Sequence, residues 1–119
     1  MISGIGVDTV DIGRFERQLE RTPALRERLF VPEERALSVS SLAARFAAKE
    51  ALIKALGGSG NLSWQDLAVV RTPEGAPGFR GTEGLRAELR RCGVAAPHLS
   101  MTHDAGVATA FVVVERNHP

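Results

Sequence analysis

The stretch Arg45-Phe46-Ala47-Ala48-Lys49-Glu50-Ala51-Leu52-Ile53-Lys54-Ala55-Leu56 decides how this chain folds and where its chemistry lies. It reads as a helix. Wound at about 100° per residue, it places Leu42, Phe46, Ile53 and Leu56 on one apolar stripe. Lys49 falls inside that stripe, Glu50 lies at its edge, and Arg45 and Lys54 flank it on opposite sides. A helix that points a lysine and a carboxylate inwards is either making a buried ion pair or building a site. Ser38 to Ser41 offer N-caps for this helix, and Gly57, Gly58 and Gly60 stop it.

On the N-terminal side, Ile2 to Val7 reads as a short strand that Asp8 ends. Gly4 and Gly6 clear one face of it, so that another backbone or a ligand can approach closely. Asp11 is positioned to cap a helix from Ile12 to about Arg21, halted before Pro23. Ile12, Phe15 and Leu19 share one face of that helix, and Arg14, Arg17 and Arg21 the opposite one. Pro32, Glu33 and Glu34 suit the first turn of a short helix. On the C-terminal side, strands are expected over Leu67 to Arg71 and around Phe79, then a helix from Thr82 to Arg91 stopped by Gly93. Two further strands, Leu99 to Asp104 and Val107 to Glu115, are joined by a tight turn at Ala105-Gly106. Asn117 to Pro119 read as a frayed tail. Helices and strands are interspersed without a βαβ rhythm, which predicts an α+β fold with an antiparallel sheet packed on the long helix. No internal repeat or linker divides residues 1–119, so a single domain is expected.

The chain has 119 residues, 44% of them hydrophobic, enough for one core. A net charge of +1 argues against general nucleic-acid binding, which needs a strongly basic face. The lone Cys92 has no internal partner, and the N-terminus lacks the basic-then-apolar pattern of a leader. No apolar run approaches the roughly 20 residues of a membrane span. A cytoplasmic protein that engages no membrane is the expectation. A domain this short often binds a large ligand between subunits.

Several side chains can carry chemistry. Asp8 and Glu50 together suit a hard divalent cation such as Mg²⁺, which takes one or two carboxylates and fills its other positions with water and phosphate. Alternatively, Asp8 caps a turn and Glu50 pairs with Lys54 at i, i+4. Arg45, Lys49 and Lys54 suit an anion such as phosphate, with Gly57 to Gly60 offering unhindered amides; the alternative is a solvated helix with snorkelling stems. Period-2 alternation places His103 on the core side with Leu99 and Met101, where a structural histidine is the ordinary occupant, and turns Asp104 the other way. Arg14, Arg17 and Arg21 make either a solvated face or a docking surface for an acidic partner. His98, His118 and Cys92 carry no signal.

Gly4-Ile5-Gly6-Val7-Asp8, followed by Arg45-Phe46-Ala47-Ala48-Lys49-Glu50-Ala51 with Lys54 and Leu56, resembles the paired signatures of the 4′-phosphopantetheinyl transferases. The short length, Trp64-Gln65-Asp66-Leu67 and Leu99-Ser100-Met101-Thr102-His103 are similar to the short, holo-[acyl-carrier-protein] synthase type within that family. The resemblance implies transfer of phosphopantetheine from coenzyme A to a serine hydroxyl of an acyl carrier protein of fatty-acid or polyketide synthesis, with release of adenosine 3′,5′-bisphosphate. It makes Asp8 and Glu50 the ligands of Mg²⁺ and puts Lys54 near the pyrophosphate. It brings Arg45, Lys49 and His103 close to the coenzyme, with Arg45 and His103 facing its 3′-phosphate. Arg14 and Arg21 then face the acidic helix of the carrier protein. Glu50 becomes the preferred base for the serine proton, and a homotrimer with sites between subunits is implied. Two features depart from the family: the stretch from Pro32 to the central helix is shorter than usual and lacks the basic residues often found there, and Asp104 follows His103. The rival readings are a non-catalytic module that binds coenzyme A or a carrier protein, and a structural oligomer held by an ion network of the Arg45–Glu50 kind.

Overall fold

The structure, a computed structural model, describes residues 1–117; His118 and Pro119 lie outside the described residues. In chain order it comprises β1 (Ile2–Asp11), α1 (Ile12–Arg21), α2 (Ala24–Leu29), α3 (Val39–Leu56), a 3₁₀ turn (Trp64–Leu67), β2 (Val69–Arg71), β3 (Pro77–Phe79), α4 (Glu83–Cys92), β4 (His98–Asp104) and β5 (Val107–Glu115). The main sheet has the order β1-β5-β4 and is antiparallel throughout, while β2 and β3 form a separate antiparallel hairpin. This is the expected α+β architecture, with α3 lying on one face of the sheet.

Helix α3 runs between the expected signals. The Ser38 hydroxyl accepts from Ser41 N at 3.2 Å, and Gly57 ends the helix in the left-handed region at φ 84°, where a side chain would be strained. Its deepest positions are mostly small: Ala47, Ala48 and Ala51 have no exposure, with Leu42 and Leu52, while Phe46, Ile53 and Leu56 of the predicted stripe are only half-buried. The apolar stripe thus lies to one side, because the face against the sheet is made of alanines. Gly4 and Gly6 explain this. A Cβ built on Gly6 would lie 1.8 Å from the carbonyl oxygen of Ala51, and one on Gly4 would lie 1.9 Å from that of Ala55. Helix backbone therefore rests directly on strand backbone, the close approach that the glycines predict.

Asp8 does not end the strand. β1 continues to Asp11, with Asp8 opposite Ala110 in the ladder. Alternation puts Gly4, Gly6 and Asp8 on one face, so the two glycines draw α3 in and Asp8 is the next group the helix meets. Asp11 caps α1 as expected, its carboxylate accepting from Arg14 N at 2.8 Å. Pro32, Glu33 and Glu34 start no helix: residues 32–36 are a run of turns, and the short helix α2 comes earlier. This segment does hold a basic residue, Arg35, which is turned inward onto the carbonyls of Phe30 (3.0 Å) and Glu27 (3.2 Å). The strand expected from Leu67 is shortened to Val69–Arg71 by the preceding 3₁₀ turn. Asn117 is not frayed, since its amides bond to Gly93 O (3.0 Å) and Val94 O (3.1 Å).

A second core lies between α1, α2 and α3, where Phe15 stacks on Phe46 and meets Phe30 edge-on. The sheet face turned away from α3 is uncovered: Ile5, Val7 and Phe111 are 54%, 50% and 45% exposed, with Val7 and Phe111 cross-strand partners. No helix among the described residues is long and apolar enough to cross a membrane.

Candidate active site

Asp8, on the helix-facing side of β1, meets the last turns of α3. Lys54 Nζ donates to Asp8 Oδ1 at 3.0 Å and to the Val7 carbonyl at 3.1 Å. Lys54, for which an i, i+4 pair with Glu50 was the alternative reading, reaches across to the strand, and its side chain stays 53% exposed beside an Asp8 that is 19% exposed. Glu50 and Asp8 line the same cleft, of about 460 Å³, with Arg14, Phe15, Gln18 and Phe46. Partial burial pushes the Glu50 carboxyl above its ordinary value; the negative charge of Asp8 adds to the rise, and Lys54 opposes it. Three carboxylates, Asp8, Asp11 and Glu50, line the cleft against Arg14 and the Lys54 that pairs with Asp8, so negative charge is in excess. The hard-oxygen pair of Asp8 and Glu50 fits one divalent cation that keeps several positions for water or phosphate oxygens. Among the described residues no group of three or more His, Cys, Asp or Glu side chains gathers as a metal cage, this cleft included.

Lys49 resolves the choice posed by its place on the helix. It has no exposure, and its ammonium donates to Glu34 Oε1 at 2.8 Å and to the Leu29 carbonyl at 2.6 Å, with the Phe30 ring 4.8 Å away. It is a core ion pair, and the expectation that it lies near a coenzyme is corrected. Burial lowers its affinity for the proton, and Glu34 restores part of it. Glu34 also accepts from Val31 N (3.2 Å) and Val69 N (3.1 Å). One buried carboxylate therefore ties the turns after α2 to both α3 and β2. Periodicity could not reveal it, because residues 32–36 form no regular element that would show which way Glu34 faces.

Glu34 also faces Arg45 Nε at 3.7 Å, too long for a hydrogen bond. That nitrogen is buried and unpartnered. Burial lowers the proton affinity of Arg45, Glu34 raises it and Arg71 lowers it again. Arg45 lines a small hollow of about 60 Å³ with Ser41, Arg71, Met101, Thr102 and His103. His103 does share the helix-facing side of β4 with Met101, but it is exposed at the rim of this hollow rather than a core residue. Arg71 in this hollow was not foreseen.

Arg14 and Arg21 are exposed on α1. Arg14 lines the acidic cleft, and Arg21 lines the adjoining hollow of about 420 Å³, walled by Leu25, Leu29, Phe46 and Trp64. Gly57 is open, an added Cβ meeting nothing within 4 Å, but its N–H bonds to Lys54 O (3.1 Å) and that of Gly58 to Ile53 O (3.0 Å). Those amides close the helix end, so they are not the free anion donors expected of the glycine loop.

An acidic cleft with a reachable lysine thus lies at one edge of the sheet, and a cationic hollow at the other. Residues 4–111 match the 4′-phosphopantetheinyl transferase superfamily, and the chain belongs to that family. It is 62% identical to a holo-[acyl-carrier-protein] synthase of Clavibacter michiganensis subsp. michiganensis, over the whole of both chains. Its fold matches the crystal structure of holo-[acyl-carrier-protein] synthase from Neisseria meningitidis with a TM-score of 0.90 at 34% identity, covering 98% of this chain and 100% of that one. The Helicobacter pylori enzyme, solved in complex with coenzyme A, matches with a TM-score of 0.82 at 36% identity, over 93% and 99% of the two chains.

Proposed function

We propose that this protein is a holo-[acyl-carrier-protein] synthase that moves 4′-phosphopantetheine from coenzyme A to a serine hydroxyl of an apo acyl carrier protein, with Mg²⁺ as cofactor. The observation that carries the reading is the convergence of Asp8, Glu50 and Lys54 on one cleft. In the reaction the serine oxygen forms a bond to the β-phosphorus of coenzyme A. The pyrophosphate bond breaks, and adenosine 3′,5′-bisphosphate leaves with the electron pair. Such a transfer asks a protein mainly for positioning and for neutralisation of charge. Held by Asp8 and Glu50, magnesium would offset charge on the pyrophosphate. Lys54 supports the leaving phosphate, since its ammonium is fixed by Asp8 and Val7 yet remains open to solvent. Asp8 is engaged by Lys54, which leaves Glu50 as the carboxylate able to take the serine proton. Arg14, at the mouth of the cleft, and Arg21, farther along the same helix, would steer the acidic carrier protein.

The two halves of the site lie at opposite edges of the sheet, Asp8 on β1 and His103 on β4, with β5 between them. Helix α3 covers the sheet face that joins them. An extended ligand reaches both halves most simply when the second comes from a neighbouring subunit. The uncovered patch of Ile5, Val7 and Phe111 supports such an assembly, a homotrimer by the family resemblance. The lone Cys92 and the need for coenzyme A favour the cytoplasm, where lipid synthesis would use the product. The test is mass spectrometry of an apo carrier protein after incubation with coenzyme A, Mg²⁺ and the enzyme. The wild type should add one phosphopantetheinyl group and Asp8→Ala should not; equal transfer by the two would overturn the assignment.

A further inference from the structure

We propose that Gln65 is a positioning residue for the carrier protein: its amide fixes the end of helix α2, and with it one wall of the hollow beside the acidic cleft. The proposal rests on the reading of the site given above. Helix α2 is six residues long and starts at Pro23 without a side-chain cap. So short a helix is not stable by itself. The carbonyls that end a helix find no partner within it, and here three side chains from elsewhere take them. Gln65 Nε2 donates to Glu27 O and Arg28 O, each at 3.0 Å, and to Phe30 O at 3.3 Å. The two hydrogens of one amide are thus shared among three oxygens. Lys49 Nζ serves Leu29 O at 2.6 Å, and Arg35 serves Phe30 O and Glu27 O. Of the three, Gln65 alone reaches the Arg28 carbonyl.

Gln65 projects from a firm base. In the 3₁₀ turn Trp64–Leu67, Leu67 is buried and the Trp64 ring packs on Phe46 at 5.6 Å. Asp66 Oδ2 accepts from Ser63 N at 2.9 Å, and the Thr82 hydroxyl donates to Asp66 O at 2.9 Å. The Gln65 side chain itself is exposed and belongs to neither core. Water can replace hydrogen bonds at such a surface, so their net contribution to stability is small. What they set is the direction of α2. That helix turns Leu25, Arg28 and Leu29 to the hollow, opposite Phe46 and Trp64, with Arg21 of α1 at its rim. Apolar walls edged by two guanidinium groups, with no carboxylate among them, suit an acidic amphipathic helix. The tilt of α2 then decides whether Leu25 and Arg28 meet that helix together, and Gln65 holds the tilt before the partner arrives.

The experiment measures transfer kinetics, and amide hydrogen exchange over residues 24–30, for the wild type, Gln65→Leu, Gln65→Lys and Arg21→Glu. Gln65→Leu removes all three bonds. It should raise the KM for the apo carrier protein by about 10-fold and speed exchange in α2. The KM for coenzyme A and the melting temperature should stay near those of the wild type. Gln65→Lys keeps a donor and should recover part of both effects. A carrier-protein KM that Arg21→Glu raises and Gln65→Leu does not would overturn the role of Gln65 alone. An Arg21→Glu enzyme with an unchanged KM would overturn the docking reading, and this proposal with it. A Gln65→Leu enzyme in which both KM values rise as the melting temperature falls would make Gln65 a general structural tie, which also overturns the proposal.

Discussion

Replacing Gly6 by alanine should separate the two elements that carry the acidic pair. The added Cβ would sit 1.8 Å from Ala51 O, 2.8 Å from Ala51 C and 2.9 Å from Ala55 N, all of them helix backbone. Ordinary contact begins at 3.4 Å, so going from 1.8 to 3.4 Å requires about 1.6 Å of movement between β1 and α3. No side chain can rotate to absorb it. Overpacking of this kind costs about 3 kcal/mol or more, which in a domain of this size lowers Tm by about 10 °C. The same movement should break the 3.0 Å contact between Lys54 and Asp8, two residues along the strand. Misplacement by about 1 Å can cost around 100-fold in rate. Thermal melting by circular dichroism and a radiolabelled transfer assay read the two effects. Gly78→Ala is the control, because its added Cβ meets nothing within 4 Å. A Gly6→Ala protein that melts and turns over as the wild type does would refute the direct contact of helix and strand backbone.

Lys49→Met should strand Glu34 in the core and cost about 3–5 kcal/mol in urea denaturation, whereas the Lys49→Met/Glu34→Gln pair, which removes both charges and keeps an acceptor for Val31 N and Val69 N, should recover part of that loss; a double variant worse than the sum would argue against the pair being a unit. The raised Glu50 carboxyl predicts a pH signature. A carboxylate whose proton affinity is higher folded than unfolded stabilises the native state on acidification and loses that contribution as pH rises through its folded value. Glu50→Gln should therefore melt slightly above the wild type at neutral pH, with the difference vanishing in acid. Added Mg²⁺ with coenzyme A should raise the Tm of the wild type but not of the variant, and the wild-type response should fade on acidification. Charge reversal at Arg14 and Arg21 should raise the KM for the carrier protein by roughly 10-fold at low salt and less at high salt; an unchanged KM would return these residues to a solvated face.

Much of the fold could be read in the sequence where a local rule was decisive. Ser38 and Gly57 bound α3, Asp11 caps α1, and Gly4 with Gly6 marks the strand against which a helix backbone rests. The failures share one cause: periodicity gives the direction a side chain points, not what waits there. Lys49 points inward as read, but its partner lies 15 residues away in an irregular segment. His103 is on the predicted face of β4, yet it stands exposed at the rim of the hollow beside Arg45. Arg71 ends a three-residue strand too short to show a pattern. Asp8 looked like a strand end because carboxylates disfavour strands, but its pairing opposite Ala110 carries β1 onward. The resemblance to the transferases joined Asp8 to Glu50 across the sequence, which spacing alone could not do.

The most direct measurement is a crystal structure grown with coenzyme A and Mn²⁺ in place of Mg²⁺, with the ion located by its anomalous scattering. The account predicts one Mn²⁺ between the carboxylates of Asp8 and Glu50, touching the pyrophosphate, with the ribose phosphate against Arg45 and His103 of a neighbouring subunit. An ion bound elsewhere, or coenzyme A seated with its pyrophosphate away from both carboxylates, would contradict it.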